Sequence, residues 1–344
     1  IVGQECCGAS ESMYLTLVQL EMASDNVEEK SDESCLEHLY CCGAATEVLK
    51  FGTRDLFHPR KTLVSSRVLI LIIPGNPGVV GFYKTFMETI YQSLGRRCAV
   101  WAVSHAGHCT PPDTMDMVKD PSVLESGDVF GLNGQIEHKL AFLLEHVPRN
   151  VNLVLVGHSI GCYIILELMK RDPELKVLKS LLLFPTIERM AATPQGKVLT
   201  PVLCHLRYVL YLPIFLLCLL PESVITCVAR LALRGVDRCT IPAVVSLLST
   251  DCVANAMYMG SQEMRMVLDR DDSTIKKNLN KLLFYYGATD HWCPVQYYHD
   301  IKRDFPSGDF HLCERGIRHA FVLDAGADMA AMVTQWVSGD LKDL

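Results

Sequence analysis

The sequence predicts an α/β fold in which a mostly parallel central sheet is covered by helices on both faces. Short, continuously apolar runs bounded by Gly, Pro, Asn or Asp recur along the chain, as is typical of strands buried on both sides. The segments between these runs include stretches whose apolar residues are spaced three and four apart, as in helices. With 344 residues, the chain is long enough for one large domain with an insertion or for two smaller domains.

The predicted elements follow one another in an alternating order. Segments that predict strands are, in sequence, TEVLKFG, SRVLILIIPG, RRCAVWAVSHAGH, NVNLVLVGHSIG, LKSLLLFPTIE, NKLLFYYGATD and DFHLCERGIRH. The segments FYKTFMETIYQSL and GLNGQIEHKLAFLLEHV predict crossover helices. The acidic stretch before them has little apolar periodicity, so residues 1–38 are predicted to form a flexible leader, and the folded part to begin near Leu39.

A long insertion interrupts this alternation. Roughly ninety residues separate the predicted strand that ends near Pro185 from the one that begins near Lys281, whereas such connections usually take only a few residues. The prediction is therefore a core formed by residues 39–189 and 276–344, with residues 190–275 inserted as a helical, apolar cap.

Composition narrows the classes of function. The formal net charge of −7 and the absence of a basic cluster argue against a nucleic-acid partner. The 15 cysteines lack CxxC or Cys/His ligand spacing, which favours reduced cytosolic thiols over disulfides or a metal site. No Rossmann fingerprint or P-loop is present, so no cofactor is expected. A mean hydropathy of +0.20 favours contact with a lipid surface.

The motif Gly157-His158-Ser159-Ile160-Gly161 lies directly between an apolar strand and a helix. In a GxSxG motif the glycines permit a sharp turn that exposes the serine at the carboxyl end of the strand. A bare GxSxG can be a mere turn, but this context favours Ser159 as a nucleophile.

A serine nucleophile needs a base, and a third group must orient that base. In folds with this serine turn, the acid and the histidine both follow the serine along the chain. Asp290 follows an apolar strand, and His319 lies in a loop after the last strand. The predicted triad is Ser159, Asp290 and His319. Alternatively, Asp290 only caps the helix that begins near Pro294. His291 is disfavoured as the base because it adjoins Asp290 in sequence.

Other histidines have simpler interpretations. His311 is predicted to be a structural histidine within a strand, and His138 to be structural within a helix. His105 and His108 follow an earlier strand and either line the pocket or lie in a surface loop.

Hydrolysis of an ester also requires donors for the developing oxyanion. One candidate is the backbone N–H of Ile160, which follows the nucleophile at a helix N-terminus. The loop Pro74-Gly75-Asn76-Pro77-Gly78 supplies the second. Because Pro77 has no N–H, Asn76 is preferred and Gly78 is the weaker alternative. The loop could also be a rigid turn without a catalytic role.

Several longer strings carry a family resemblance that covers most of the chain after about residue 39. They are IIPGNPGVVGFY, VWAVSHAGH, GLNGQIEHKLAFL, LVGHSIG, LLFPTIERM, QEMRMV, FYYGATDHWCP and IRHAF. In these the sequence resembles the lipid droplet-associated hydrolases of the α/β-hydrolase superfamily. The resemblance implies an α/β-hydrolase fold, Ser159 as nucleophile, and Asp290 with His319 as the charge-relay pair. It also implies residence on lipid droplets and the endoplasmic reticulum, with weak hydrolysis of sterol esters and a role in cholesterol and neutral-lipid turnover.

The most apolar part of the insertion, Leu199 to Glu222, resembles a membrane span. After Arg207 only 13 residues without charge remain, from Tyr208 to Leu220, and such a helix reaches about 20 Å against about 30 Å of hydrocarbon. Pro213 is expected to kink it. Spanning is therefore not favoured.

We instead predict docking on the lipid monolayer of a droplet. The predicted contact residues are Tyr208, Leu216, Leu217, Leu219 and Leu220. Ser223 to Gly235 offers a returning apolar arm whose Arg230 and Arg234 can reach lipid headgroups. The alternative is a cap helix packed inward on the core.

These observations support two functions. The first is a serine ester hydrolase that cleaves lipid esters, with sterol esters as the expected substrate, at the cytosolic face of droplets and the endoplasmic reticulum. The second is a largely non-catalytic scaffold on the droplet surface that retains a hydrolase fold. Acyl transfer shares the first half-reaction of the hydrolase and stays open, as do the acyl-chain preference and any protein partner.

Overall fold

The computed structural model describes residues 34–52, 67–120, 122, 127–232 and 238–342. Most of the predicted leader, residues 1–33, lies outside the described residues. The eight strands are β1 Cys35–Cys41, β2 Ala44–Phe51, β3 Val68–Ile73, β4 Ala99–Val103, β5 Asn152–His158, β6 Val177–Leu183, β7 Leu282–Gly287 and β8 Asp309–Cys313.

The helices are α1 Lys84–Ser93, α2 Leu132–His146, α3 Ile160–Arg171, α4 Pro194–Pro201, α5 Arg207–Cys218, α6 Glu222–Ala232, α7 Ile241–Leu247, α8 Thr250–Met266, α9 Asp272–Asn278, α10 Val295–Asp304 and α11 Gly326–Lys342. One π-helical segment, Val202–Leu206, joins α4 to α5. Short 3-10 turns occupy Val80–Tyr83, Met190–Ala192, Arg238–Thr240, Leu279–Lys281 and Phe321–Leu323.

The strands form one sheet in the order β1-β2-β4-β3-β5-β6-β7-β8. From β4 to β8 all neighbours pair in parallel, for example Leu71 with Trp101 and with Leu155, whereas β1, β2 and β4 pair antiparallel. Helix α1 packs on α11, and α2 packs on α3. The predicted fold class, a mostly parallel sheet covered by helices, is confirmed.

The buried strands explain why the sequence predicts this sheet well. Every residue of β3, Val68–Ile73, is buried, and the same holds for β4 and β7. All seven predicted strands are present. The folded part begins earlier than predicted, because β1 starts at Cys35 and pairs along its length with β2.

The connection between β6 and β7 contains helices α4 to α9. Among them α8 packs against the core, and it buries Cys252, Met259, Gly260, Ser261, Glu263 and Met264. By contrast, α4, the π-helical segment and α5 form one 25-residue helix, Pro194–Cys218, that is long and apolar enough to cross a membrane and whose apolar stretch is not buried. This long helix continues through Pro213.

Candidate active site

Ser159 lies in a sharp turn between β5 and α3. Its backbone has φ 55° and ψ −121°, a conformation that a residue other than glycine rarely adopts. A Cβ on Gly161 would lie 2.2 Å from the carbonyl oxygen of Ile73, and one on Gly157 would lie 2.9 Å from the Cα of Cys162. Both glycines are therefore required by close backbone packing, and the turn presents Ser159 at the carboxyl edge of the sheet.

The structure brings Ser159, His319 and Asp290 into one hydrogen-bonded chain. Ser159 Oγ lies 2.9 Å from His319 Nε2, and His319 Nδ1 lies 2.7 Å from Asp290 Oδ2. Because a carboxylate only accepts, Nδ1–H donates to Asp290, and Nε2 of the neutral ring is left to accept the serine proton. This arrangement can deprotonate the serine as it attacks a carbonyl.

The Asp290 carboxylate has two sets of partners, and neither is a cap of α10, so the helix-cap alternative is wrong. Its Oδ1 accepts from the backbone N–H of Trp292 at 2.7 Å and of Cys293 at 3.2 Å, while Oδ2 faces His319. It thus closes a turn before α10, whose N-cap is Pro294. Burial opposes the charged form, but the hydrogen bonds from His319, Cys293 and Trp292 hold the pKa of Asp290 below its ordinary value.

Asp290, Cys293 and His319 also place a carboxylate, a thiol and an imidazole within 4.8 Å of one another. The Cys293 thiol donates to Asp290 Oδ2 at 3.1 Å, and burial raises the pKa of that thiol well above its usual value. A metal requires the thiolate, so these residues fit a proton-transfer site better than a metal site.

The loop after β3 lies beside the serine, as predicted for an oxyanion loop. A Cβ on Gly75 would lie 3.1 Å from Ser159 Cβ. The Gly75 N–H donates to Tyr83 Oη at 2.8 Å, and the Gly78 N–H donates to His108 Nδ1 at 3.0 Å. Pro77 has no N–H, so within 75–78 only Asn76 keeps an N–H that donates to no described residue. This excludes Gly78 and leaves Asn76 as the candidate donor.

Ile160, the other predicted donor, is the first residue of α3 and is fully buried. The first N–H groups of a helix have no partner within it. Its position directly after Ser159 suits a donor to an oxyanion at the serine.

The remaining histidines lie outside the proton-transfer chain. His105 and His108 are fully buried, so they are not in a surface loop, and His108 supports the oxyanion loop through Gly78. His138 is buried and bonds Thr46, in line with its predicted structural role. His311 lies on β8 next to Asp309 at 2.6 Å, and His291 is exposed.

Sequence reasoning missed a buried network behind the triad. Tyr83 Oη lies 2.7 Å from His158 Nδ1, and His158 Nε2 lies 2.8 Å from the backbone oxygen of His319. Burial, reinforced by the nearby His319, lowers the pKa of His158 to about 3, so its ring is neutral. Nε2–H then donates to the His319 carbonyl, and Tyr83 donates to Nδ1. This network joins Gly75 of the oxyanion loop to the backbone of the proposed base.

The apolar helix and the arm after it expose a set of large side chains, here called the apolar face. Its members are 41 to 68% exposed: Tyr208, Val209, Leu212, Phe215, Leu216, Leu219, Leu220, Val224 and Val228. Four of the five predicted contact residues belong to it, while Leu217 is partly buried. The predicted returning arm is α6, where Arg230 is exposed and Arg234 lies outside the described residues.

The side chain of Arg207 is held by protein groups. Its Nη1 donates to Ser261 Oγ at 2.9 Å and its Nη2 to Tyr208 Oη at 2.8 Å. The guanidinium also lies over the Tyr258 ring, 5.3 Å from its centroid. The one charged residue in the middle of the apolar segment is thus directed to α8 and to its neighbouring tyrosine.

The sheet order and the serine turn after β5 define the α/β-hydrolase fold. A solved structure of a bacterial membrane phospholipase A, described as a virulence factor, has the same fold with a TM-score of 0.59 and 15% identity, and the match covers 98% of this chain and 96% of that one.

The chain belongs to the family described as lipid-droplet associated hydrolase, which matches residues 66–322. It is 56% identical over 311 residues to the lipid droplet-associated hydrolase of Gallus gallus, covering 90% of this chain and 96% of the relative. It is 47% identical over 315 residues to that of Homo sapiens, with the same coverage. The expected family is confirmed, and the chain is a hydrolase by membership of that family.

Proposed function

We propose that this protein is a serine ester hydrolase that cleaves lipid esters at a droplet surface, with sterol esters as its substrate class. The observation that carries the proposal is the hydrogen-bonded chain from Ser159 through His319 to Asp290. The apolar face on the same chain and the family's association with lipid droplets support a lipid substrate. We further propose that the protein acts at the cytosolic face of droplets and of the endoplasmic reticulum.

The proposed reaction has two half-reactions. Ser159 Oγ attacks the ester carbonyl while His319 Nε2 takes its proton, and Asp290 stabilises the resulting imidazolium. The backbone N–H groups of Ile160 and Asn76 stabilise the oxyanion. The bond between the former carbonyl carbon and the alcohol oxygen then breaks, and His319 returns the proton to the departing alcohol. Water, deprotonated by His319, attacks the acyl-enzyme, which releases the acid and restores Ser159.

The insertion is proposed to act as a cap, residues 190–275, that docks the enzyme on lipid. The apolar face supplies large side chains that water solvates poorly, which favours their transfer to a lipid surface. Exposed Arg230 lies in the last turn of α6, two residues after Val228, and such a cation can contact headgroup phosphates. Docking through the apolar face is proposed to deliver an insoluble ester to the site without extracting it into water.

The nucleophile is tested with Ser159→Ala and a fluorophosphonate that labels activated serines. We expect labelling to disappear and ester turnover to fall at least about 1,000-fold, because the nucleophile is lost. Ser180→Ala, which removes a buried hydroxyl bonded only to Met169 Sδ, is the matched control. Equal labelling of wild type and Ser159→Ala would sink the proposal. The turnover rates of sterol esters, glycerides and short esters on emulsions then rank these substrate classes.

A scaffold function is the second candidate, and the size of the apolar face favours it. A scaffold requires the face and not the nucleophile. In cells that lack the endogenous protein, a scaffold predicts that Ser159→Ala restores neutral-lipid content as fully as wild type does. The hydrolase proposal predicts that only wild type restores it.

A further inference from the structure

The side chain of Asn76 is held by the insertion rather than by its own loop. Its Nδ2 donates to the backbone oxygen of Ala256 at 2.9 Å and to Glu263 Oε1 at 2.8 Å. Both acceptors lie on α8. Two acceptors at this distance use both amide hydrogens, so the orientation of the side chain is determined by α8.

Glu263 is an unusual residue for this position. It is 3% exposed, it lies on the face of α8 that packs against the core, and none of the ion pairs among the described residues includes it. Burial raises its pKa to about 7, opposed by the hydrogen bond from Asn76. A buried carboxyl without a cationic partner is unfavourable for folding, so its presence calls for an explanation other than stability.

Helix α8 is itself fixed to the core next to each of these two contacts. Asn255 Nδ2 donates to the backbone oxygen of Gly107 at 3.0 Å, and Gln262 Oε1 accepts from the backbone N–H of Leu132 at 2.9 Å. A hydrogen bond donated to such an anchored helix restricts Asn76 more than one donated to a mobile loop would. The adjacent Gly75 is held from the other side by Tyr83.

We propose that Glu263 is a positioning residue that holds Asn76 from the cap, so that the Asn76 backbone N–H is placed as the second oxyanion donor. This inference rests on the proposed ester hydrolysis. It gives the insertion a positioning part in the reaction, in addition to lipid docking. Glu263 does not touch the reacting atoms. It holds the Asn76 side-chain amide and thereby places the Asn76 backbone N–H.

The test uses Glu263→Leu, which removes the acceptor, and Glu263→Gln, whose amide oxygen accepts the same hydrogen bond. The readouts are kcat and KM for a soluble short-chain aryl ester and the rate of fluorophosphonate labelling. Since loss of a whole oxyanion donor lowers kcat by about 100-fold or more, we expect Glu263→Leu to lower kcat and the labelling rate by about tenfold with KM little changed. Glu263→Gln should stay within about threefold of wild type.

A double-mutant cycle with Asn76→Ala identifies the path of the effect. Asn76→Ala keeps the backbone N–H but removes the side chain that Glu263 holds, so it should lower kcat as Glu263→Leu does. The double variant should be no slower than either single variant. Met264→Leu, another buried substitution on α8, is the control for packing.

The inference is overturned if folded Glu263→Leu matches wild type, if Glu263→Gln is as slow as Glu263→Leu, or if the two losses multiply in the double variant. If Glu263→Leu does not fold, Asn76→Ala decides alone, and unchanged kcat overturns the inference. Wild type that is not labelled at Ser159 overturns the proposed function as well. Wild type that is labelled, with both variants equally fast, overturns only the role of Glu263.

Discussion

At the scale of single residues, Tyr83 is a buried residue outside the proposed triad whose hydroxyl makes two hydrogen bonds. It is 2% exposed, its hydroxyl accepts from the Gly75 N–H, and it donates to His158. Removing the hydroxyl leaves a buried donor and a buried acceptor without partners, which costs about 1–3 kcal/mol.

We expect Tyr83→Phe to lower the free energy of unfolding by about 2 kcal/mol and kcat by roughly threefold to tenfold, since it loosens the oxyanion loop and the His319 backbone together. Urea unfolding and ester turnover measure the two effects. Tyr40→Phe removes a phenol hydrogen bond to Asp116 at the surface and serves as the control. If Tyr83→Phe has the stability and turnover of Tyr40→Phe, the network has no such role.

Some residues of the candidate site have a local signal in the sequence, and others do not. Ser159, Asp290 and His319 are predicted by the sequence because each follows a strand, and parallel strands bring their carboxyl ends to one edge of a sheet. Tyr83 and Glu263 have no such local signal, because their partners are distant in sequence. The only hint of Glu263 was an acidic residue four positions after Met259, on the buried face of a helix.

At the scale of elements, strands buried on both faces were predictable, and the edge strand β1 was not. β1, Cys35–Cys41, has exposed and partly buried residues along most of its length and includes Glu37 and His38. An antiparallel edge strand requires burial on only one face, so its sequence need not be continuously apolar. The same acidic composition that predicted a leader is compatible with an edge strand.

The long apolar helix illustrates how topology limits what an element can do. A crossing by Pro194–Cys218 would place the following residues beyond the membrane, yet β7 must return to pair with β6 in the same sheet. Helix α6 has 11 residues and reaches about 16 Å, short of about 30 Å of hydrocarbon. The bent pair of α7 and α8 passes the same apolarity test, but α8 packs on the core. The topology therefore favours docking on one leaflet.

Docking makes a direct prediction for the apolar face. We expect replacement of Leu212, Leu216 and Leu219 by Ser to reduce flotation with phospholipid-coated oil droplets by more than roughly tenfold, since each leucine forfeits the gain of leaving water. Turnover of a soluble ester should be unchanged, because none of the three contacts the site residues described above.

The matched control replaces three leucines that are also about half exposed but lie elsewhere, Leu36, Leu144 and Leu268. It should float like wild type. If both triple variants float equally well, the apolar face does not dock the protein, and the inward-facing residues of the cap become the better explanation for its apolarity.

At the scale of the whole molecule, the buried histidines link stability to pH. His105, His108, His138 and His158 are all buried, and burial lowers the pKa of each, to about 3 for His108 and His158. Unfolded imidazoles titrate near pH 6.5. Between those values the unfolded chain binds more protons, so stability falls as the pH is lowered from about 6.5.

Glu263 acts in the opposite direction. Its pKa is raised to about 7, so between pH 4.5 and 7 the native state holds the extra proton, and this contribution weakens folding as the pH rises. The raised pKa values of His38 and Glu188 act in the same direction as that of Glu263. The four buried histidines outnumber these three groups. The net prediction is a free energy of unfolding that declines steadily from pH 6.5 toward pH 4.

Urea unfolding at successive pH values measures this slope, to which each histidine contributes up to about 1.4 kcal/mol per pH unit. His138→Gln should reduce this slope by up to the contribution of one proton. The reason is that Gln is neutral throughout, whereas His138 takes up a charge only on unfolding. His291→Gln, at an exposed position, is the matched control variant. Equal slopes in wild type and His138→Gln would mean that the buried imidazole accepts its proton without unfolding, through a local opening of the β2–α2 contact where Thr46 bonds it.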